Sequence, residues 1–427
     1  MKKNQLFFGI MLVLGLQLSL CATEQAGPSA GTLKVLTFNI DTNIGRIEGG
    51  TFGLSHPEWR VGARMGAICQ SLLNLIKTYS PDVIHIQEGR KFLSKFGDMV
   101  DSITPVMDFL AAQGYQVSTE QYNPSEFAFS FITGIKKDFV IDGHETFYFT
   151  KTPDRPTDHT NHAARVKEIK EQNFGEEWER CVYITKFHDA DGRRYRGMNV
   201  HLGMGPEHRK EACKMLQQDA QKVALEDPLI LQFLTGDFNT FPDRGGPEQV
   251  EIMINGGTLK EATADLRLAN GQKTTATFIA FPYDFAADDQ RLNAQYLKET
   301  GKSLLANFEA MTLDARKQKV DELFRTECKA LCGHLDRIFE HGFLGSSVLL
   351  LPTAQFADFD LNHFDDQHVK DFILRHHYDG PAFASDHQPL LATFTLPPVE
   401  KSNVSMARSI LDEIIDNVQQ FVNKLRK

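Results

Sequence analysis

The sequence has no excess of basic residues: 46 lysines and arginines stand against 56 aspartates and glutamates, a net charge of −10. Broad electrostatic capture of nucleic acid works by displacing counterions with Lys and Arg, so an acidic chain is poorly suited to it. A nuclease that brings a divalent metal to the phosphate is not excluded. Hydrophobic residues make up 41% and charged residues 24%, too polar a balance for a multi-span membrane protein. Glycine (31) and proline (17) are too few for a collagen-like or low-complexity chain. Cysteine is scarce as well. Beyond Cys21, the chain has Cys69, Cys181, Cys213, Cys328 and Cys332, an odd and scattered set from which no disulfide framework can be read. One disulfide stays open in an oxidising compartment. Cys328 and Cys332 lack the Cys/His partners of a zinc site. A chain of 427 residues buries a large core without such staples.

What is present begins with a targeting pattern. Lys2 and Lys3 precede an apolar-rich run over residues 6–20, followed by Cys21, Ala22 and a polar stretch. The run is shorter than the roughly 20 residues of a membrane span. A basic start, an apolar middle and a small-residue exit predict a secretory signal over residues 1–22, against the alternative of an uncleaved anchor. Leu20 is bulkier than lipoprotein processing accepts, which favours cleavage after Ala22 over lipid anchoring through Cys21. The expected compartment is periplasmic or extracellular.

Residues 33–40 alternate like a strand with an apolar face. Residues 64–79 place Met65, Ile68, Leu72, Leu75 and Ile76 at helical spacing, and Pro81-Asp82 separates them from the strand pattern of 83–88. Residues 99–113 read as helix; 127–132, 139–149, 182–187, 195–202 and 229–234 read as strands; 207–225 reads as helix. Asp189-Ala190-Asp191-Gly192 marks a turn between two strands. Strands resume at 335–339 and 389–396. This alternation predicts a layered α/β protein with mixed sheets. Residues 284–332, rich in Ala, Leu, Lys and Glu, read as a helical insertion within one domain over 33–397. Residues 404–425 set Ile410, Leu411, Ile414, Ile415, Val418, Phe421, Val422 and Leu425 on one stripe, an amphipathic C-terminal helix. That helix packs on its own domain, meets a partner or lies on a membrane surface.

Polar residues gather at the predicted strand ends: Phe38-Asn39-Ile40-Asp41, Ile86-Gln87-Glu88, Gly236-Asp237-Phe238-Asn239, His334-Leu335-Asp336-Arg337 and Ser385-Asp386-His387. Strands that expose polar ends on one edge collect such groups in a single cleft. Carboxylate and amide oxygens suit a hard cation such as Mg²⁺. Several Asp and Asn with two His, and no Cys ligand, fit metal-assisted phosphoryl chemistry better than zinc chemistry. Each patch alone also reads as a turn, a cap or a surface ion pair; their recurrence beside strands is the signal.

In this order the patches resemble the endonuclease/exonuclease/phosphatase family. The matching stretches are Thr37-Phe38-Asn39, Gln87-Glu88, Asn199-Val200-His201-Leu202, Gly236-Asp237-Phe238-Asn239, Leu335-Asp336-Arg337-Ile338-Phe339 and Ser385-Asp386-His387. The resemblance implies a four-layer α/β/β/α sandwich of two mixed β-sheets with outer helices. It implies Asn39 and Glu88 as a Mg²⁺ site, Mn²⁺ or Ca²⁺ being substitutes, with Asp41 and Asp386 as further ligand candidates. It implies Asp237 as the group that orients or deprotonates the attacking water, and Asn239 as a hydrogen-bond donor to the phosphoryl group. His201 would donate to a phosphate oxygen, and His387, oriented by Asp336, would touch the phosphate or assist proton transfer. His85, His56, His144 and His341 match nothing and read as structural or surface residues.

The implied activity is hydrolysis of a phosphodiester by direct attack of water, on nucleic acid or phospholipid, by a monomeric or weakly associated enzyme. The Trp-Cys-Asp-Arg of inositol-phosphate 5-phosphatases is absent; the corresponding stretch is Gly333-His334-Leu335-Asp336-Arg337. Thr277-Phe278-Ile279-Ala280-Phe281 resembles a segment of many exported bacterial members. Arg193-Arg194-Tyr195-Arg196 and His208-Arg209-Lys210 read as basic patches for a polyanion, and a sphingomyelinase-like hydrolase or a non-catalytic binding module on this fold are the alternatives.

Overall fold

A computed structural model describes residues 31–40, 61–93, 99–121, 129–150, 171, 174, 180–240, 251, 253, 257–268, 271, 278–279, 297, 300–303, 332–333, 335–351, 355–356, 382–383, 385 and 387–398. Residues 1–22, Asp41, Asp386, most of 284–332 and the whole of 404–425 lie outside these. The chain divides into Leu33–Phe394 and a second unit formed by Met1–Thr32 and Thr395–Lys427. In the second unit only 31–32 and 395–398 are described.

In chain order the strands are β1 (Thr32–Asn39), β2 (Val83–Leu93), β3 (Met99–Asp101), β4 (Tyr115–Gln121), β5 (Phe129–Lys136), β6 (Val140–Tyr148), β7 (Cys181–His188), β8 (Arg194–His201), β9 (Leu231–Asp237), β10 (Lys260–Glu261), β11 (Arg267–Leu268), β12 (Phe278–Ile279), β13 (Cys332–Gly333), β14 (Asp336–His341), β15 (Gly345–Leu350), β16 (Gln355–Phe356), β17 (Ala382–Phe383) and β18 (Leu390–Thr395). The helices are α1 (Val61–Tyr79), α2 (Ile103–Ala112) and α3 (Pro206–Glu226). One sheet runs β11-β15-β18-β1-β2-β5-β4, with β3 also on β2, and the other runs β10-β14-β9-β8-β7-β6. Both are mixed: β1–β2 and β8–β9 are parallel, while β2–β5 and β14–β9 are antiparallel.

Helical spacing in α1 buries Ile68, Cys69, Leu72 and Leu75, which join Val106, Phe109 and Leu110 of α2 over Leu36, Phe38, Ile84 and Ile86 of the first sheet. On the second sheet, Ala212, Cys213, Leu216 and Ala220 of α3 cover Val182, Ile184, Met198, Val200 and Leu234. Between the sheets the His85 ring stacks on Phe233 at 5.6 Å and its Nδ1 lies 2.8 Å from Thr235 Oγ1. The architecture is the four-layer α/β/β/α sandwich read from the sequence. β9 is buried along its whole length, so its run of residues carries no alternation, as expected for a strand covered on both faces.

Local chemistry moves some boundaries. The helix expected over 99–113 starts only at Ile103. Met99–Asp101 instead pairs with Lys91, Phe92 and Leu93, and Asp101 Oδ1 then accepts from the N–H groups of Ile103 and Thr104 at 3.0 and 2.9 Å. A carboxylate satisfying the first free amides turns strand into helix there. Cys332, placed by pattern at the end of the helical stretch, pairs as a strand with Ile279. Cys69, Cys181 and Cys213 are buried free thiols, which removes them from any disulfide.

Two buried histidines outside the polar cluster contribute to the acid limb of stability. His208, in the first turn of α3, is fully buried, lies edge-on to Phe149, and has no hydrogen-bond partner for either ring nitrogen. Burial, then the Arg180 and Arg209 charges, push its pKa down to about 3; burial alone does the same to His85. Between pH 3 and 6.5 these two imidazoles therefore bind more protons in the unfolded chain than in the folded one, so the stability they contribute falls as pH drops through that window. His208→Phe keeps the ring packing and removes one of these proton uptakes. Urea unfolding at pH 7 and pH 5 should show a loss smaller than wild type by about 2 kcal/mol, one proton over roughly 1.5 pH units. Equal losses in both proteins would refute this.

Candidate active site

The ends of β1, β8 and β9, the start of β14 and a kink in β2 bring the polar patches together. Parallel pairing sets His201 at the end of β8 opposite Asp237 at the end of β9. Antiparallel pairing sets Asp336 on the other side of Asp237. From the first sheet come Asn39 and Glu88. Nearly all are sealed from solvent: Asn39 is 0% exposed, Asp237 1%, Asp336 2%, His201 and His387 4%, and Glu88 8%.

Asn39 stands at the centre. Its Nδ2 donates to Glu88 Oε1 and to Asp237 Oδ2, both at 3.1 Å, and lies 3.5 Å from His387 Nε2. One amide thus bridges two carboxylates that would otherwise repel. Its backbone carbonyl accepts from Ser385 Oγ at 2.7 Å, and the same hydroxyl accepts from the His387 N–H at 3.1 Å. The Ser385 hydroxyl therefore fixes the His387 loop to the end of β1. His387 Nδ1 lies 2.8 Å from Asp336 Oδ2, an arrangement that fixes the imidazole's tautomer and aims Nε2 toward Asp237 Oδ2, 3.9 Å away.

Asn239 has φ +50°, a left-handed turn that asparagine tolerates better than most residues. That turn lets its N–H donate to Asp237 Oδ1 at 2.7 Å and its Nδ2 donate to the Leu202 carbonyl at 2.7 Å. Asn239 therefore holds both Asp237 and the chain leaving His201.

Glu88, His201 and Asp237 offer ligand atoms that lie within 4.8 Å of one another. His201 Nε2 is 3.7 Å from Glu88 Oε1 and 3.6 Å from Asp237 Oδ2. Burial, then the charges of Arg180, His387 and Arg90, hold the His201 pKa well below its ordinary value, so the ring is neutral. Burial likewise raises Asp237 to about 6; the Asp336 charge adds to this, while His387, the Asn239 amide and Asn39 oppose it. The Glu88 and Asp237 carboxylates supply the oxygen donors that suit a hard divalent cation, whereas the His201 imidazole is the donor type of transition metals. Asn39 turns its Nδ2 to the carboxylates, so offering Oδ1 to a cation requires its amide to turn over. Asp41 and Asp386 lie outside the described residues.

Sequence reasoning did not single out the two buried arginines. Arg90 places Nη2 3.6 Å from Glu88 Oε2 and its guanidinium 3.7 Å from the Phe129 ring centroid. Arg180 reaches the same ring at 5.9 Å, and Phe129 meets His201 edge-on at 5.8 Å.

The basic patches read from the sequence are not free surfaces. Arg196 is buried and pairs with Asp219; Arg193 pairs with Asp189 and Asp191; Arg194 pairs with Asp227. His208 and Arg209 are fully buried. Among the remaining histidines, His144 stacks on Tyr183 and His341 meets the Thr258 carbonyl, both structural contacts.

No protein-family model matches the chain, and no curated protein sequence matches it either. Solved structures do. An endonuclease/exonuclease/phosphatase family protein from Bacteroides thetaiotaomicron is 15% identical, covers 87% of this chain and 100% of its own, and superposes with a TM-score of 0.51. A mannosyl-6-phosphatase of the same organism is 16% identical, with 85% and 100% covered and a TM-score of 0.49. Truncated TDP2 from Caenorhabditis elegans is 16% identical, with 85% and 97% covered and a TM-score of 0.45. The first of these shows a shared fold.

Proposed function

We propose that the protein is an exported, divalent-metal-dependent phosphoesterase that hydrolyses a phosphodiester by direct attack of water. The observation that carries this reading is the buried cluster of Glu88, His201 and Asp237 around Asn39, with the His387–Asp336 pair facing it. It stands on the fold of endonuclease/exonuclease/phosphatase proteins. Export rests on the residue 1–22 pattern alone.

Glu88 and Asp237, with Asn39 or His201, would hold Mg²⁺, which neutralises phosphoryl charge and eases deprotonation of water when bound. Asp237 accepts the proton of the attacking water from a position fixed by the Asn239 amide. His387, held by Asp336, stands within reach of a phosphate oxygen or the departing group. His201 and Asn239, both largely buried, supply preorganised polar contacts where negative charge builds.

The test is hydrolysis of bis(p-nitrophenyl) phosphate by residues 23–427 with Mg²⁺, Mn²⁺ and Ca²⁺. Metal-dependent turnover lost in His387→Ala is the expected result; metal-independent turnover, or none with any cation, rejects the reading. Asp336→Asn leaves His387 present without its orienting carboxylate. Its kcat should fall about 100-fold, at the lower end of what a positioned acid or base supplies, with KM little changed. An undiminished kcat would remove Asp336 from the site.

A further inference from the structure

Glu88 enters the cluster through an irregularity in β2. Ile86 pairs with Ile132 and Gly89 with Ser130 of β5, so Gln87 and Glu88 together face Phe131 alone. This two-against-one pairing is a β-bulge, which disrupts the ladder and re-aims a side chain. Glu88 sits there at φ +62°, a conformation that costs an L-residue with a long side chain on the order of 1–3 kcal/mol unless its surroundings enforce it. The enforcing contact comes from the opposite sheet.

Asn199 of β8, 0% exposed, donates its Nδ2 to the carbonyls of Ile86 at 3.1 Å and Ile132 at 3.4 Å. These are the last regularly paired residues before the bulge, one on each strand. Its Oδ1 accepts from Gln87 Nε2 at 2.7 Å, and the same Nε2 donates to Thr37 Oγ1 at 3.0 Å. With Nδ2 committed to two carbonyls, only Oδ1 is left for Gln87, so the amide orientations are mutually determined. Gln87 is adjacent to Glu88 on one sheet, and Asn199 is two residues before His201 on the other. The clasp thus fixes the bulge and the spacing of two cluster members across the sandwich.

We infer that Asn199 is a positioning residue: it pins the β2 bulge from the facing sheet and so sets the direction of Glu88 into the metal cluster. The functional consequence rests on reading Glu88 as a metal ligand; the structural part does not. Residues that orient a metal ligand without touching the metal typically govern affinity by about 10–100-fold.

The test uses residues 23–427 carrying Asn199→Leu, which keeps volume and removes both amide functions. Asn199→Ser is the milder variant should leucine prevent folding. Met198→Ala, at a buried neighbour that packs on α3, serves as a destabilised control. Hydrogen exchange at the Glu88 and Gly89 amides is read first. It should speed at least about 100-fold in an Asn199 variant that retains its circular dichroism, and change far less in Met198→Ala. Calorimetric titration with Mg²⁺ should then show at least tenfold weaker binding in the Asn199 variants only, with kcat restored at saturating metal. Unchanged exchange at the bulge overturns the inference. So does an Mg²⁺ affinity equal to wild type in a protein whose melting temperature has dropped. A wild type that binds no cation refutes the metal reading instead, and the exchange data still decide what Asn199 does.

Discussion

Asp237→Asn should leave about one thousandth of the wild-type kcat or less, while the folded apoprotein becomes more stable at neutral pH. The rate loss follows from the position of the carboxylate. Its Oδ1 is held by the Asn239 N–H, its Oδ2 by Asn39, and His201 and His387 flank it. An amide fills the same volume but accepts no proton from water. General-base removal spans about 10²–10⁴ in rate, and a thousandfold loss corresponds to roughly 4 kcal/mol of barrier. The stability gain follows from the raised pKa. With about 6 in the folded state against 3.8 unfolded, the folded chain binds more protons between those values. Stability contributed by this group is therefore greatest at low pH and falls as pH rises through 3.8 to 6. Above pH 6 the charged form carries a penalty on the order of 3 kcal/mol. Asparagine abolishes it but places an NH₂ where Asn39 donates, which returns part of the gain. A net increase on the order of 1 kcal/mol is expected from urea unfolding at pH 7.5, shrinking toward zero near pH 4. Turnover within tenfold of wild type would remove Asp237 from the chemistry. A destabilised variant at pH 7.5 would mean that its hydrogen bonds outweigh its burial.

The polar edge was legible because Asn39, His201, Asp237 and Asp336 end or begin strands whose apolar patterns are themselves readable, whereas Glu88, expected at the end of a strand over 83–88, lies inside β2, which runs on to Leu93. Residues 33–40, 195–202 and 335–339 fall within two residues of β1, β8 and the start of β14. The paired register of β8, β9 and β14 then needs no further information to align His201, Asp237 and Asp336. Glu88 was found by its motif, but its bulge was not. The residues Gln87-Glu88-Gly89 carry no local requirement for a left-handed Glu88, and the requirement arises from Asn199 on another sheet. Arg90 and Arg180 escaped for the same kind of reason. A lone arginine reads as a solvated charge, and the contacts that accompany its burial, the Phe129 ring beneath both guanidinium groups and Glu88 beside Arg90, come from the folded chain. The basic runs misled in the opposite direction. Arg193, Arg194 and Arg196 are consecutive or nearly so in sequence, yet strand alternation and separate acidic partners scatter them. Charge runs report surface patches only where the backbone keeps them on one face.

The largest effect on folding should come from a single methyl group, in Gly236→Ala. Gly236 has φ +140° and pairs with Val200 in the parallel β8–β9 ladder. A Cβ there would lie 1.9 Å from the Val200 carbonyl oxygen and 2.8 Å from its carbon. Both are backbone atoms of a buried central strand, so no side-chain rotation relieves the overlap. The conformation itself costs alanine on the order of 1–3 kcal/mol, and separating β8 from β9 breaks the neighbouring ladder bonds as well. We expect destabilisation beyond about 4 kcal/mol, a magnitude reserved for such backbone conflicts, seen as little or no folded protein. Gly143→Ala is the matched control. It sits in β6, where a Cβ would meet nothing within 4 Å and φ is not left-handed, so its stability should stay within about 0.5 kcal/mol of wild type. If Gly236→Ala folds with a wild-type urea midpoint, then β8 and β9 are not as close as described, and the His201–Asp237 spacing of 3.6 Å falls with them. The same close approach that excludes a side chain at 236 is what brings the two chemistry-bearing ends within reach of one ion or one phosphate.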